Sequence, residues 1–273
     1  MVRQHHAGPK RRFSLLDPLV LLLLSSARSA AAASKDKTTA LFTDPDTGIS
    51  FQRFFGAKTS FSFGIALPTT PTDSFIGMLE FPLKSGAGWG GWSLTGDMEG
   101  PLLMAAWAST PSPNDASTAG GVISSFRQAF NEDDNPPEVS GSFVARPIAA
   151  GTSANATHLK YTFLCEGCLD ASLGLGAADT AGTAEMGWAL AGTAVRGAGK
   201  PDGVLGFHDV GFGDFDADLA GARFADFETW AAMAGAPMVA STSAKAIVPD
   251  GGDGGGGDDS GDDDSDDDDD DDD

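Results

Sequence analysis

The feature that most limits the fold is the spacing of the apolar residues, which come in short runs separated by turn-forming residues. In the clearest run, Phe61, Phe63 and Ile65 alternate with small residues, which places the three side chains on one face of a β-strand. Comparable runs rich in Phe and Ile, bounded by Gly, Pro, Thr and Asp, predict further strands. The predicted strands are 49–54, 59–67, 74–83, 89–96, 102–109, 121–130, 139–148, 158–165 and 186–191.

This pattern predicts an all-β protein: a two-sheet antiparallel β-sandwich, immunoglobulin-like, with one short C-terminal helix. The helix is expected in the Ala-rich stretch 216–233, where apolar residues recur at helical spacing. Its aromatic stripe is expected to pack in the core rather than against a cofactor. The stripe residues are Leu219, Phe224, Phe227 and Trp230.

The two ends of the chain are not expected to belong to the folded body. Basic residues, the apolar run 19–24 and small residues up to Ala33 follow one another as in a secretory signal peptide. That run is far shorter than the roughly 20 residues of a membrane-spanning helix, so a secreted, extracellular protein is expected. Residues 251–273 contain only Gly, Asp and Ser, a composition typical of disorder. The predicted organisation is a signal peptide at 1–33, one domain at 38–236 and an acidic Gly/Asp tail at 237–273.

The charge of the chain limits its partners. The formal net charge is −22, much of it from the C-terminal Asp run, and the remaining body is still acidic. An acidic surface disfavours nucleic acid and anionic membranes as partners.

The two cysteines, Cys165 and Cys168, have C-x-x-C spacing. In a secreted protein we predict a structural disulfide between them. A redox-active pair is the alternative, but such a pair normally opens a helix, whereas this one follows a predicted strand. A zinc site would need more ligands. Leu169 stands where a covalent c-type haem motif requires histidine, which excludes that motif.

Residues that carry chemistry are few. The predicted domain holds two histidines and no Gly-x-Ser-x-Gly or His-Glu-x-x-His motif, which disfavours a hydrolase. His158 falls on the polar face of its strand and is expected to face water. His208 lies in segment 207–215 among Phe and Gly, a setting that suits a flat apolar ligand, although a core histidine is the simpler interpretation from the residues alone. Asn155 opens a sequon for N-glycosylation.

Several segments resemble, in order, the haem-binding cytochrome domain of fungal cellobiose dehydrogenases. Together they extend over residues 40–235. The resemblance implies a β-sandwich that binds haem b and transfers electrons, with His208 and Met98 as the axial ligands of the iron. The matching segments are 42–48, 74–77, 92–107, 155–168, 208–212 and 225–230.

The position of Met98 supports its choice among the methionines. It lies in a Gly/Asp turn between two predicted strands, which is an odd place for a core methionine because turns are usually exposed. Met78, Met104 and Met186 fall in predicted strands and are expected to pack inside sheets.

The resemblance also implies partners. In the family, a flavin dehydrogenase donates electrons, and acceptors include copper-dependent lytic polysaccharide monooxygenases. This sequence shows the acidic tail where the flavin domain would follow, so an electron carrier is expected rather than a stand-alone enzyme with catalytic residues. Its electron donor is then expected to be another protein or a small reductant. Two alternatives stay open: a non-redox secreted β-sandwich module that binds haem or carbohydrate, and a structural or mineral-interacting protein whose acidic tail is the functional part.

Overall fold

A computed structural model describes residues 37–109, 121–131 and 134–249. The predicted signal peptide and the chain from residue 250 onward lie outside these ranges. Within them, no helix is both long enough and apolar enough to cross a bilayer. In chain order the elements are β1 (Ala40–Thr43), β2 (Ser50–Phe55), β3 (Ser62–Pro68), β4 (Phe75–Pro82), β5 (Trp89–Ser93), β6 (Leu103–Ala108), β7 (Val122–Arg127), β8 (Val139–Ser140), β9 (Val144–Pro147), β10 (Ser153–Ala154), β11 (His158–Glu166), β12 (Thr183–Ala191), β13 (Gly211–Asp218), β14 (Arg223–Phe224), α1 (Phe227–Ala231) and β15 (Lys245–Ala246).

The strands form two antiparallel sheets, so the predicted β-sandwich with one short helix is confirmed. The larger sheet has the order β1-β2-β3-β4-β11-β10, with β9 beside β11 and β14 added in parallel to β3. The smaller sheet has five strands in the order β13-β12-β5-β6-β7. A short parallel pair joins β8 to β15.

The main core lies between the sheets and is largely aromatic. Phe61, Phe63 and Ile65 are fully buried there, as their alternation predicts. The smaller sheet contributes Trp92, which stacks on Phe163 of the larger sheet with ring centroids 6.2 Å apart. A second cluster on the far face of the larger sheet packs around Phe51, Ile76 and Phe227 of α1.

The predicted helix at 216–233 is wrong in extent. Residues Gly211–Asp218 form β13, and only Phe227–Ala231 are helical. Phe215, Ala217 and Leu219 are buried and alternate with aspartates, which is strand periodicity, and β13 gains its hydrogen bonds from β12. The apolar stripe does pack inside as expected, since Leu219 and Phe227 are buried and Phe224 and Trp230 lie against the second cluster.

The start of the predicted tail also belongs to the body. The Lys245 N–H donates to the Glu138 carbonyl, and Gln128 Nε2 donates to the Val248 carbonyl at 2.7 Å. Residues 245–248, in the predicted tail, therefore form hydrogen bonds with the folded body. The Asp-rich remainder lies outside the described residues.

Four smaller expectations concern the cysteines, His158, three methionines and Asn155. Cys165 and Cys168 are bonded to each other and buried, which confirms the predicted disulfide. His158 is exposed, as its strand parity predicts, and Met78, Met104 and Met186 are buried in the sheets. Asn155 is exposed in the turn before β11, where its Oδ1 accepts from the Thr157 N–H at 2.8 Å.

An ion pair fixes the turn between β1 and β2 to β11. Lys160 Nζ donates to Asp44, whose side chain is 1% exposed, and to Asp46, which is 62% exposed. Burial alone would raise the pKa of the Asp44 carboxyl, but the hydrogen bonds from Lys160 and Thr47 hold that pKa below its usual value. The pairing therefore stabilises the fold above the unfolded-state pKa, and this stabilisation is lost as pH falls through the folded-state pKa.

We expect Lys160→Met to lower the free energy of unfolding by about 1–3 kcal/mol, because it leaves a buried carboxylate with fewer donors. Asp46→Asn removes only the exposed partner and should cost less than about 1 kcal/mol. Urea unfolding at neutral pH measures both. Equal losses in the two variants would contradict the assigned role of Asp44.

Candidate functional site

The outer face of the smaller sheet carries a row of small side chains. In the strand register, Ala189 of β12 is opposite Gly91 of β5, and Gly91 is opposite Ala105 of β6. Phe212 of β13 and Ser125 of β7 end this small-residue row. At these three central positions no side chain is larger than a methyl group, so a flat group has room to stand there.

Glycine is required at the centre of this row. A Cβ added to Gly91 would lie 2.7 Å from the carbonyl oxygen of Met104, closer than the backbone tolerates. Gly90, the preceding residue, faces the core, where a Cβ would meet the ring of Phe81 at 2.6 Å. The Gly-Gly pair after Trp89 thus permits close packing on both faces of the sheet.

The segment between β12 and β13 folds over one end of this face and carries His208. Trp89 Nε1 donates to the Gly206 carbonyl at 3.1 Å, and the Gly192 N–H donates to Asp209 Oδ1 at 2.9 Å. These bonds on both sides of His208 fix the segment to the sheet. The position of the imidazole is therefore set by the sheet.

Aromatic rings surround the imidazole of His208. Its centroid lies 4.4 Å from that of Phe207 and 4.4 Å from that of Phe212, and the Trp89 ring stands edge-on at 6.4 Å. Phe207 and Phe212 are nonetheless 67% and 63% exposed. Exposed aromatic side chains grouped at one place on a surface mark a binding site.

The connection from β5 to β6 carries Met98 at the other end of the face. Ser93 Oγ donates to the Asp97 carbonyl at 2.8 Å, and Gln128 Nε2 donates to the Gly100 carbonyl at 2.7 Å. The loop is thereby held on both sides of Met98, which is partly buried.

Met98 and His208 line the same cavity, which has a volume of about 720 Å³. The His208 ring adjoins Trp89 at the start of β5, whereas Met98 follows Ser93 at the end of β5. Four residues of strand separate these ends by about 13 Å. The small-residue row runs between them, so the two side chains approach a shared space from opposite ends. A thioether and an imidazole are both side-chain groups that can bind a haem iron.

The charged groups that line the cavity are unevenly placed. Asp214 of β13 and Glu185 of β12 lie at one edge of the sheet, where Lys37 Nζ donates to Asp214 at 2.7 Å. Arg127 of β7 lies at the opposite edge and is buried. Asp97 and Asp134, both exposed, also line the cavity.

Comparison with known proteins assigns the family. The family model for the cytochrome domain of cellobiose dehydrogenase matches residues 42–229. The chain belongs to this family. The matched residues include Met98 and His208, the two cavity residues that could bind a haem iron.

Two solved structures resemble this cytochrome domain. The cytochrome domain of Myriococcum thermophilum cellobiose dehydrogenase has a TM-score of 0.63 and 28% identity, covering 75% of this chain and 100% of that one. The cytochrome b domain of pyranose dehydrogenase from Coprinopsis cinerea has a TM-score of 0.60 and 24% identity, with coverage of 75% and 100%, and supports the fold.

A curated relative is much longer than the matched region. The pyrroloquinoline quinone-dependent pyranose dehydrogenase of Coprinopsis cinerea is 30% identical over 152 residues, which is 54% of this chain and 19% of that protein. The similarity is therefore to a small part of the relative.

The sequence predicts Met98 and His208, which lie at the two ends of the cavity. It does not predict the small-residue row between them or the charged residues that line the cavity. The small-residue row is formed across neighbouring strands, so no single segment of sequence shows it. Arg127 is a lone basic residue in a predicted strand, and only its burial and its place beside the cavity distinguish it. Phe207 and Phe212 could be found, since they flank His208 in the sequence.

Proposed function

We propose that this protein is an extracellular electron carrier that holds one haem b in the cavity, with His208 and Met98 as the axial ligands of the iron. The observation that carries the proposal is that one cavity brings these two side chains together on a chain of the cytochrome family. When bound, haem supplies a centre that gains and loses a single electron.

The cavity suits a large flat ligand in several respects. Its volume of about 720 Å³ falls within the roughly 300–1,000 Å³ of ligand pockets. The small-residue row leaves space for a ring system, and Phe207 and Phe212 offer apolar surface. Cys165 and Cys168 are bonded to each other, so retention depends on burial and on the two ligands, which is the b-type arrangement.

The residues around the cavity position the ligands rather than perform a reaction. The rings of Phe207, Phe212 and Trp89 restrict the imidazole of His208, and the hydrogen bonds of the β5–β6 connection restrict Met98. If His208 and Met98 both bind the iron, no open position would remain there for a substrate. Electron transfer is then the remaining role, and the chain acts as a carrier.

The partners follow from the family. We propose that the donor is a sugar dehydrogenase with a flavin, or with pyrroloquinoline quinone as in the Coprinopsis relative, and that a copper-dependent lytic polysaccharide monooxygenase is an acceptor. We also propose secretion and glycosylation at Asn155, supported by the buried disulfide and by the exposed turn that holds the sequon.

An absorbance spectrum of the purified secreted protein, taken before and after dithionite, tests the function. A red protein whose bands sharpen on reduction, as for a six-coordinate low-spin haem, is expected. A protein that stays colourless after incubation with haem would refute the proposal, and glycan binding by that colourless protein would favour the non-redox alternative.

The small-residue row gives a separate prediction. Ala189→Leu should weaken haem binding at least about tenfold, because the added side chain rises where the ligand stands, and overfilling a packed site costs about 1–3 kcal/mol. Ala189→Ser keeps the space and should bind haem nearly as wild type does. Titration of both apo-proteins with haem measures this, and equal affinities would show that the row does not face the ligand.

A further inference from the structure

Arg127 is a buried cation at the edge of the cavity. It is 1% exposed, it is the last residue of β7, and it lies opposite Leu103 in the register. That row continues through Ser93 and Gly187 to Asp214 on β13. Across four strand spacings, Arg127 and Asp214 therefore stand about 19 Å apart.

The hydrogen bonds of Arg127 leave one donor available. Nε donates to Ser125 Oγ, Nη1 to the Pro136 carbonyl, and Nη2 to the carbonyls of Pro201 and Gly203. A guanidinium has five N–H groups, so one hydrogen of Nη1 remains. All four acceptors are uncharged.

The charge of Arg127 is only partly compensated. Among the described residues, no carboxylate lies within salt-bridge distance of its guanidinium. Burial lowers the pKa of Arg127 to about 10, against the opposing effect of the more distant Glu138 and Asp202. A buried cation without a direct counter-ion is costly, and an anionic group of a ligand relieves that cost.

The rest of the cavity disfavours an anion. Glu185 and Asp214 lie at the β12–β13 edge, and Asp97 lies in the Met98 loop. Asp134 is at the Arg127 end but is exposed and bonded to Asn131. Asn135, whose Oδ1 accepts from the Leu205 N–H, also lines the cavity. Among the described residues that line the cavity, Arg127 is thus the one buried positive charge.

We propose that Arg127 binds a propionate of the haem. It would thereby determine that the anionic side of the macrocycle lies at the β7 edge of the sheet. This inference rests on the proposed function, because it concerns the same cavity. Arg127 also donates hydrogen bonds to the carbonyls of residues 136, 201 and 203. The test must therefore separate recognition of a propionate from stabilisation of the fold.

The separation comes from comparing protohaem IX with its dimethyl ester, in which both propionates are esterified. Apo-protein is titrated with each porphyrin, and the ratio of the two dissociation constants is the readout. Wild type should bind the free acid about 10–100-fold more tightly, the range of a charge-assisted hydrogen bond. In Arg127→Gln the ratio should fall close to one.

Two further variants fix the interpretation. Arg127→Lys keeps the charge but loses the guanidinium geometry, and it should keep a preference for the free acid. Arg146→Gln removes an arginine that pairs with Glu166 on the larger sheet, outside the cavity, and should leave the ratio unchanged. Thermal melts of the apo-proteins report folding.

The outcomes are distinct. An Arg127→Gln variant that weakens both porphyrins equally, with the ratio of wild type, overturns the proposal and leaves Arg127 a structural role. If Arg127→Gln does not fold, an Arg127→Lys variant with no preference for the free acid overturns it. A wild type that binds neither porphyrin overturns the proposed function itself.

Discussion

His208→Ala is expected to lose most of the bound haem or to leave a high-spin, five-coordinate iron. The imidazole is the stronger of the two proposed axial ligands, and nothing covalent tethers a b-type haem, so the remaining Met98 thioether holds the iron poorly. The truncation also removes the ring that packs between Phe207 and Phe212 at the cavity. We expect haem occupancy after purification to fall at least about tenfold, measured as the ratio of Soret to protein absorbance.

The controls for this experiment lie in the same chain. His158→Ala removes the other histidine of the described domain, which is exposed on β11 and outside the cavity, and should keep full haem occupancy. Added imidazole should restore a low-spin spectrum to His208→Ala, because the free ring can occupy the vacated space. A His208→Ala protein with the occupancy and spectrum of wild type would refute this ligand assignment.

Met98→His is expected to keep a low-spin, six-coordinate haem with a reduction potential lowered on the order of 0.1 V, within the roughly 0.8 V that axial ligands span. A thioether favours the reduced iron, whereas a second imidazole favours the oxidised iron more, so the exchange lowers the potential. The Met98 loop is held by hydrogen bonds at Asp97 and Gly100, which keeps the new side chain beside the cavity. Spectroelectrochemical titration measures the shift.

Met233→His is the matched control for that variant. Met233 is 38% exposed next to α1 and does not line the cavity, so the same substitution there should leave the potential unchanged. Equal potentials for wild type and Met98→His would show that Met98 does not bind the iron.

The features that could be predicted depend on residues that are close together in the sequence. Alternation in Phe61, Phe63 and Ile65 predicts β3, and the Gly/Asp turn distinguishes Met98 from the methionines buried in strands. The family resemblance then pairs Met98 with His208, and one cavity brings them together. The disulfide follows from the spacing of Cys165 and Cys168.

What could not be predicted depends on contacts between distant segments. The prediction places residues 216–218 in the helix, because the pairing of β13 with β12 is not visible in the local sequence. The space above Gly91 exists because Ala105 and Ala189 happen to be its neighbours across two strand pairs. Lys245 pairs with β8 far back in the chain, so composition alone assigned that segment to the tail.

The smaller sheet has two unlike faces, one that packs in the core and one that faces the cavity. Folding and ligand binding therefore use different faces of the sheet. Trp92, Met186 and Phe215 point into the core between the sheets, whereas Gly91, Ala105 and Ala189 form the cavity floor on the opposite side. The side chains that fill the core and those that form the small-residue row therefore come from alternate positions of the same strands. The protein should therefore be able to fold before any ligand occupies the cavity. We therefore expect the folded apo-protein to bind the proposed haem, and zinc or cobalt porphyrins should enter the cavity in its place, giving fluorescent or redox-shifted forms of the same protein.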